Sequence, residues 1–187
     1  MPETLRLFTA IELPDHVIAA LREVSPHFPE LRVLPAGHGK PHITLKFIGD
    51  LEKERLPALD SLLAGLGGPP REIGFTGLGA FLRPNGAIFW AGARSEPDLK
   101  PLVAEMDDSL FNGLGIGRSK GPFFPHVTLA RTKRYRKDLK FKAKEYQKVL
   151  APPFTATSFG LYKSELKPTG AIHTLLFEYK FSVASEK

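Results

Sequence analysis

The strongest constraint on this chain is a five-residue phrase that occurs twice. Residues 41–45 read Pro-His-Ile-Thr-Leu and residues 125–129 read Pro-His-Val-Thr-Leu, with His42 and His126 84 positions apart. In a strand, residues i and i+2 share a face. Each copy therefore sets a His beside a Thr on one face and apolar residues on the other. Two such strands facing each other bring two imidazoles and two hydroxyls to one cleft.

That grouping suits acid–base chemistry at phosphorus. Histidine has the unperturbed pKa nearest neutrality, so one ring can be charged while its partner is neutral. A reaction needing an acid and a base together can use such a pair, each contributing typically ~10²–10⁴-fold. Two hydroxyl donors beside the imidazoles match the non-bridging oxygens of a phosphoryl group, which gain charge in the transition state. A lone His-x-Thr is ordinarily just a half-buried strand position; its repetition, with Pro before and Leu after, argues for function. Neither copy has an Asp or Glu nearby, so no metal site is expected.

The rest of the chain supplies a frame for two related lobes. Leu5–Leu13 reads as a strand, Pro14 to about Glu23 as a helix, Leu31–Leu34 as a short strand, and 35–40 as a loop. The first motif strand runs to about Ile48, followed by a helix over Glu52–Leu66. Strands at 72–82 and 87–93 flank Arg83-Pro84-Asn85-Gly86, a strong hairpin signal. A helix over 97–114 and a Gly-rich basic loop lead to the second motif. The segment 138–150 reads as a short helix or a surface loop, and strands at 154–166 and 172–183 close the chain, joined around Pro168-Thr169-Gly170. Residues 1–187 form one domain, since no linker or low-complexity stretch divides them.

The net charge of +6 is not evenly spread. Between Arg131 and Lys148 stand nine basic and two acidic residues, so the remainder is about neutral. A basic run of this kind fits an anionic partner such as RNA, or a solvated face. Cysteine is absent, which removes disulfides and thiol chemistry and suits a reducing cytosol. No signal peptide is visible and no apolar run approaches the ~18 residues of a membrane span. A cytoplasmic monomer without membrane association is expected.

The chain resembles the LigT/ThpR-like RNA 2′,3′-cyclic phosphodiesterases, also called 2′-5′ RNA ligase-like proteins, of the two-histidine phosphoesterase superfamily. The resemblance rests on Arg6–Ile11, the run His42–Gly49, Phe89–Gly92, His126–Arg131 and Leu161–Leu166, so it spans nearly the whole chain. It implies an α+β fold of two pseudo-symmetric lobes, each an antiparallel β-sheet with helices packed outside and the active-site cleft between them. It implies hydrolysis of a terminal 2′,3′-cyclic phosphate on RNA to a 2′-phosphate, without metal, ATP or other cofactor. Carried over to this chain, His126 is the proton acceptor, taking a proton from water. His42 is the proton donor to the departing 3′ oxygen, and Thr44 and Thr128 hold the phosphate oxygens. The reverse sense would join a cyclic end to a 5′-hydroxyl, a 2′-5′ ligation.

Further substrate-binding candidates are Arg131, Lys46, Tyr162 and Ser164. Arg131 offers a planar, permanently charged fork for phosphate, but strict alternation turns it away from His126 unless a strand end or a bulge intervenes. Lys46 shares the face of His42 and Thr44 on strict alternation. Tyr162 and Ser164 alternate on one late strand face. His173 stands where relatives often carry an aromatic residue. Phe123, Phe124 and Trp90 read mainly as core, and His16, His27 and His38 as surface. Two other functions compete: a phosphodiesterase for small cyclic nucleotides, and a nucleotide- or RNA-binding module without turnover.

Overall fold

The computed structural model describes residues 2–35, 39–133, 137–146, 148–167 and 170–182. Its elements are β1 (Thr4–Glu12), α1 (Asp15–Arg22), β2 (His42–Glu52), α2 (Leu56–Ala64), β3 (Arg71–Arg83), β4 (Gly86–Glu96), α3 (Leu99–Leu114), β5 (His126–Thr132), α4 (Lys137–Glu145), β6 (Phe154–Ala156), β7 (Ser158–Lys167) and β8 (Gly170–Lys180). Short 3₁₀ turns follow α1, at Ser25–His27, and precede α2, at Lys53–Arg55.

The helices form where apolar residues recur on one stripe. Val17, Ile18 and Leu21 bury that face of α1, which starts directly after extended Pro14. In α3 the stripe is Leu99, Leu102, Val103, Met106 and Leu110. The Asp98 side chain caps α3 by accepting the Lys100 N–H at 3.0 Å. Gly115 ends it in the left-handed region, at φ 64°, where a residue without Cβ fits best. The hairpin signal holds: Arg83 pairs with Gly86 across a two-residue turn.

All pairings are antiparallel, and the strand order is β6-β3-β4-β5-β2-β1-β7-β8. The two lobes are thus β2-β1-β7-β8 and β6-β3-β4-β5. They merge edge to edge into one sheet at the pair Ile43↔Val127. Residue Thr157 alone separates β6 from β7, although five strands lie between them in the sheet. The sheet therefore curls until its ends approach. The Phe181 N–H donates to the Thr157 carbonyl at 2.8 Å, and Gly68 bridges to Ser182, tying that closure.

The lobes also brace each other. Helix α3 follows β4 of one lobe but covers the other: Met106 accepts a hydrogen bond from buried Thr9 on β1. In the opposite sense Phe28, just past α1, packs on Phe89 of β4 with ring centroids 4.6 Å apart. One continuous apolar core spans both lobes.

Three expectations change. Leu31–Leu34 is not a strand; Leu31, Val33 and Leu34 are buried. One of its backbone hydrogen bonds to a strand runs from the Leu34 N–H to the Leu129 carbonyl, at 2.8 Å. The strand expected over 154–166 breaks at Thr157, and its halves serve different lobes. The first motif strand passes its expected end at Ile48 and runs to Glu52, through Gly49 at φ 88°. Segment 138–150 is largely helical, as α4. The expected turn at Pro168-Thr169 and the surface reading of His38 fall outside the described residues.

Candidate active site

The two motifs are built alike around the seam. Ile43 and Val127 are fully buried and pair with each other. One step either side of that antiparallel pair sets His42 across from Thr128 and Thr44 across from His126. The histidines thus occupy opposite corners of a four-residue array on the face away from the core. The His42 Nδ1–H donates to the Lys40 carbonyl at 2.8 Å, and the His126 Nδ1–H donates to the Phe124 carbonyl at 2.8 Å. Each proline carbonyl is held from the neighbouring chain segment, Pro41 by the Leu13 N–H and Pro125 by the Ala93 N–H. With Nδ1 engaged, Nε2 is the nitrogen each ring presents to the cleft.

The motif leucine sits at a β-bulge in both copies. On β2, Ala10 pairs with Thr44 and Thr9 with Lys46, so Leu45 is the extra residue. On β5, Trp90 pairs with Thr128 and Phe89 with Ala130, so Leu129 is the extra residue. A bulge reverses the alternation beyond it. Leu45 and Lys46 both turn to the covered side, as do Leu129 and Ala130. The next residues, Phe47 and Arg131, then return to the face of the histidines.

This corrects the expectation for Lys46. It is 2% exposed on the opposite face, where its ammonium pairs with Asp107 of α3 and donates to the Gly117 carbonyl at 2.9 Å. Asp107 also accepts from the Ser119 N–H at 3.1 Å. Burial raises the Asp107 carboxyl, but Lys46 and Ser119 outweigh it and hold it below its ordinary value. Lys46 thus anchors the loop before the second motif and does not line the cleft. Arg131 does reach the cleft face, through the bulge that strict alternation omits.

Aromatic rings surround each histidine. Phe8 lies 5.0 Å from His42, between Tyr162 at 5.3 Å and His173 at 4.9 Å. Across the seam Phe81 stands edge-on to His126 at 5.2 Å, Phe124 stacks on it at 5.9 Å, and Trp90 closes the group at 6.5 Å. Burial depresses the pKa of both imidazoles, and the carbonyl each ring donates to opposes that. His173 lowers His42 further and Glu12 raises it, while Arg131 lowers both. Burial, then the like charge of Arg83, lowers Arg131 itself.

Tyr162 is on the cleft face but buried, and its hydroxyl faces Glu12; burial and that carboxylate push its pKa up. Of this substrate-binding candidate the structure gives a buried ring stacked on Phe8. Ser164 shares the face and pairs across β7 and β8 with His173, which packs edge-on to His42 at 5.3 Å. Trp90 lines the cleft and is not core. Two glycines make room for the ring: a Cβ on Gly79, across on β3, would stand 2.2 Å from the indole, and one on Gly92, two residues further along β4, 3.3 Å from it. Phe8, Phe47 and Phe81 were not anticipated, because a strand phenylalanine gives no sign of which face it takes. Beyond Arg131, the helical part of the basic segment lies elsewhere: Leu139 and Ala143 bury α4 in the core, and Tyr146 beyond it meets Phe28, on the side of the sheet away from Trp90 and His126. Among the described residues no helix is long and apolar enough to cross a membrane.

The family model described as the 2′-5′ RNA ligase superfamily matches residues 12–168. The chain belongs to this superfamily. Among its relatives is the RNA 2′,3′-cyclic phosphodiesterase of Methanocaldococcus jannaschii, 30% identical over 178 residues, covering 94% of this chain and 100% of the relative. The crystal structure of TT0787 of Thermus thermophilus superposes with TM-score 0.77 at 28% identity, covering 97% of this chain and 100% of that one. Escherichia coli LigT complexed with 3′-AMP gives TM-score 0.75 at 26% identity, covering 96% and 99%. The α+β architecture of this superfamily member, a curled antiparallel sheet with four helices among the described residues, is that of the LigT structures.

Proposed function

We propose that this chain hydrolyses the terminal 2′,3′-cyclic phosphate of RNA to a 2′-phosphate, using His126 as base and His42 as acid. The carrying observation is the diagonal array of two imidazoles, each fixed through Nδ1 to the carbonyl two residues before it. The Nε2 of His126 takes a proton from water as its oxygen bonds to phosphorus. The bond from phosphorus to O3′ breaks, and that oxygen takes the proton from Nε2 of His42. Base and acid at opposite corners suit an in-line displacement. Thr44 and Thr128 donate to the non-bridging oxygens, and Arg131 adds charge-assisted donors to the same group. A 5′-hydroxyl in place of water gives a 2′-5′ linkage, the ligation sense of the same chemistry. A cysteine-free chain acting on RNA is assigned to the cytoplasm.

The test is an oligonucleotide ending in 2′,3′-cyclic phosphate, incubated with the protein and EDTA, with the product isomer identified. A 2′-phosphate is the expected product. A 3′-phosphate reverses which oxygen His42 protonates. Turnover of cyclic mononucleotides alone supports the small-nucleotide reading, and binding without product supports the non-catalytic one. His42→Ala and His126→Ala each lower kcat by at least about 10²-fold, the contribution typical of one acid or base. Activity retained in either variant removes the paired mechanism.

A further inference from the structure

We propose that Arg83 forms a second phosphate subsite, taking the backbone phosphate on the 5′ side of the terminal nucleoside while Arg131 takes the reacting one. This rests on the proposed reaction and names the part of the substrate that the same cleft reads.

Sheet register carries the placement. Phe81 and Arg83 share one face of β3, and Phe81 meets His126, so that face is the cleft's. Ile88 pairs with Phe81 on one side and with Arg131 on the other, which puts Arg131 in the same row. Arg83 pairs with Gly86 in the next row towards the hairpin. Gly86 has no side chain, and a Cβ there would stand 2.0 Å from the Thr132 carbonyl oxygen. Nothing therefore rises between Arg83 and β5. The two rows are about 6.7 Å apart along the strands, and β4 sets the two backbones about 9.6 Å apart across them. Two long side chains leaning towards each other over Gly86 narrow that separation to the span between phosphates on either side of a single ribose.

Three other cations near the motifs already hold a carboxylate. Lys40 pairs with Glu12, Lys46 with Asp107 and Arg118 with Asp108. Among the described residues, neither Arg83 nor Arg131 pairs with a carboxylate. Two neighbouring guanidiniums without counter-charge repel each other in the free protein, and Arg83 lowers the pKa of Arg131 accordingly. An anion at each fork relieves that repulsion, and guanidinium suits phosphate because it donates in a planar fork. A terminal ribose with a cyclic phosphate at O2′ and O3′ and a chain phosphate at O5′ offers two such anions.

Binding of adenosine 2′,5′-bisphosphate and adenosine 2′-monophosphate, compared at one salt concentration, tests this without requiring turnover. The wild type binds the bisphosphate about tenfold tighter, the size of one hydrogen-bonded contact to a charged group. Arg83→Gln brings the ratio close to one. It also reduces the salt slope for the bisphosphate by about 1. Lys100→Gln, an equal loss of charge on α3, keeps the wild-type ratio. A wild type without preference, an Arg83→Gln variant that keeps it, or a Lys100→Gln variant that loses it equally overturns the subsite. Turnover of the cyclic-phosphate oligonucleotide is read separately. Its absence alongside a collapsed binding ratio counts against the reaction and not against Arg83.

Discussion

Each imidazole of the pair is anchored through Nδ1 and partly desolvated, and this governs its response to pH. In the free protein both pKa values lie below the ordinary histidine value of 6.5, with burial the leading cause. The proposed acid, His42, must be protonated, so the alkaline limb of kcat/KM lies below pH 6.5. Bound cyclic phosphate is anionic and favours the charged ring, so the alkaline limb of kcat lies higher. Profiles of the two parameters check the order of the limbs; coincident limbs count against His42 as the acid. Glu12 raises His42 and is not among the groups that shift His126. Glu12→Gln therefore moves the alkaline limb of kcat/KM down and leaves the acid limb in place. The four motif residues were legible because the phrase is repeated, which a structural His-x-Thr has no reason to be. The surroundings of Tyr162 were not legible, because Glu12, the carboxylate that raises its pKa, is distant in sequence and comes near it only through the β1–β7 pairing of the folded sheet.

At the scale of elements, two bulges decide what the cleft contains. Period-2 reading carries Lys46 into the site and Arg131 out of it; one extra residue per strand exchanges them. The exchange leaves a faint trace in Leu129-Ala130, two consecutive buried apolar residues. It leaves none at Leu45-Lys46, where a charged residue stands at the buried position. The loop anchored by Lys46 and Asp107 depends on that exchange. Lys46→Met leaves the Asp107 carboxylate with Ser119 alone as its donor and destabilises the fold by at most about 3–5 kcal/mol, the usual cost of breaking a buried pair from one side. The double variant Lys46→Met/Asp107→Leu recovers most of it. Urea unfolding of both variants is the check, and equal losses in single and double argue against a desolvated pair. The hairpin at 83–86 was readable from its Pro-Asn-Gly signal, whereas α4 stayed open between a short helix and a loop, since its apolar stripe is short and interrupted by lysines.

Across the whole molecule, the pseudo-symmetry was legible from the repeat, and the joining of the lobes was not. That joining depends on the pair Ile43↔Val127 and on a break at Thr157 that no Gly or Pro marks. The shared cleft collects three imidazoles, His42, His126 and His173, whose folded pKa values burial depresses. The unfolded chain then binds more protons than the folded one below about pH 6.5. Their contribution to stability is present above that value and is lost as pH falls through the depressed values. Urea unfolding at pH 7.5 and 5.5 shows a loss on acidification, smaller in the variant His42→Asn/His126→Asn. An unchanged loss in that variant assigns the acid sensitivity to other groups.

The one-residue link at Thr157 has a mechanical consequence. The lobes are tied at the seam, again at Thr157, and by Phe28 and α3 reaching across in opposite directions. Among the described residues, these ties hold the lobes together from both sides of the sheet. The conformational entropy of setting the gap between the histidines is met during folding, so a substrate finds donors already oriented. Discrimination then falls to the contour and charge of a preset aperture, not to a closing movement.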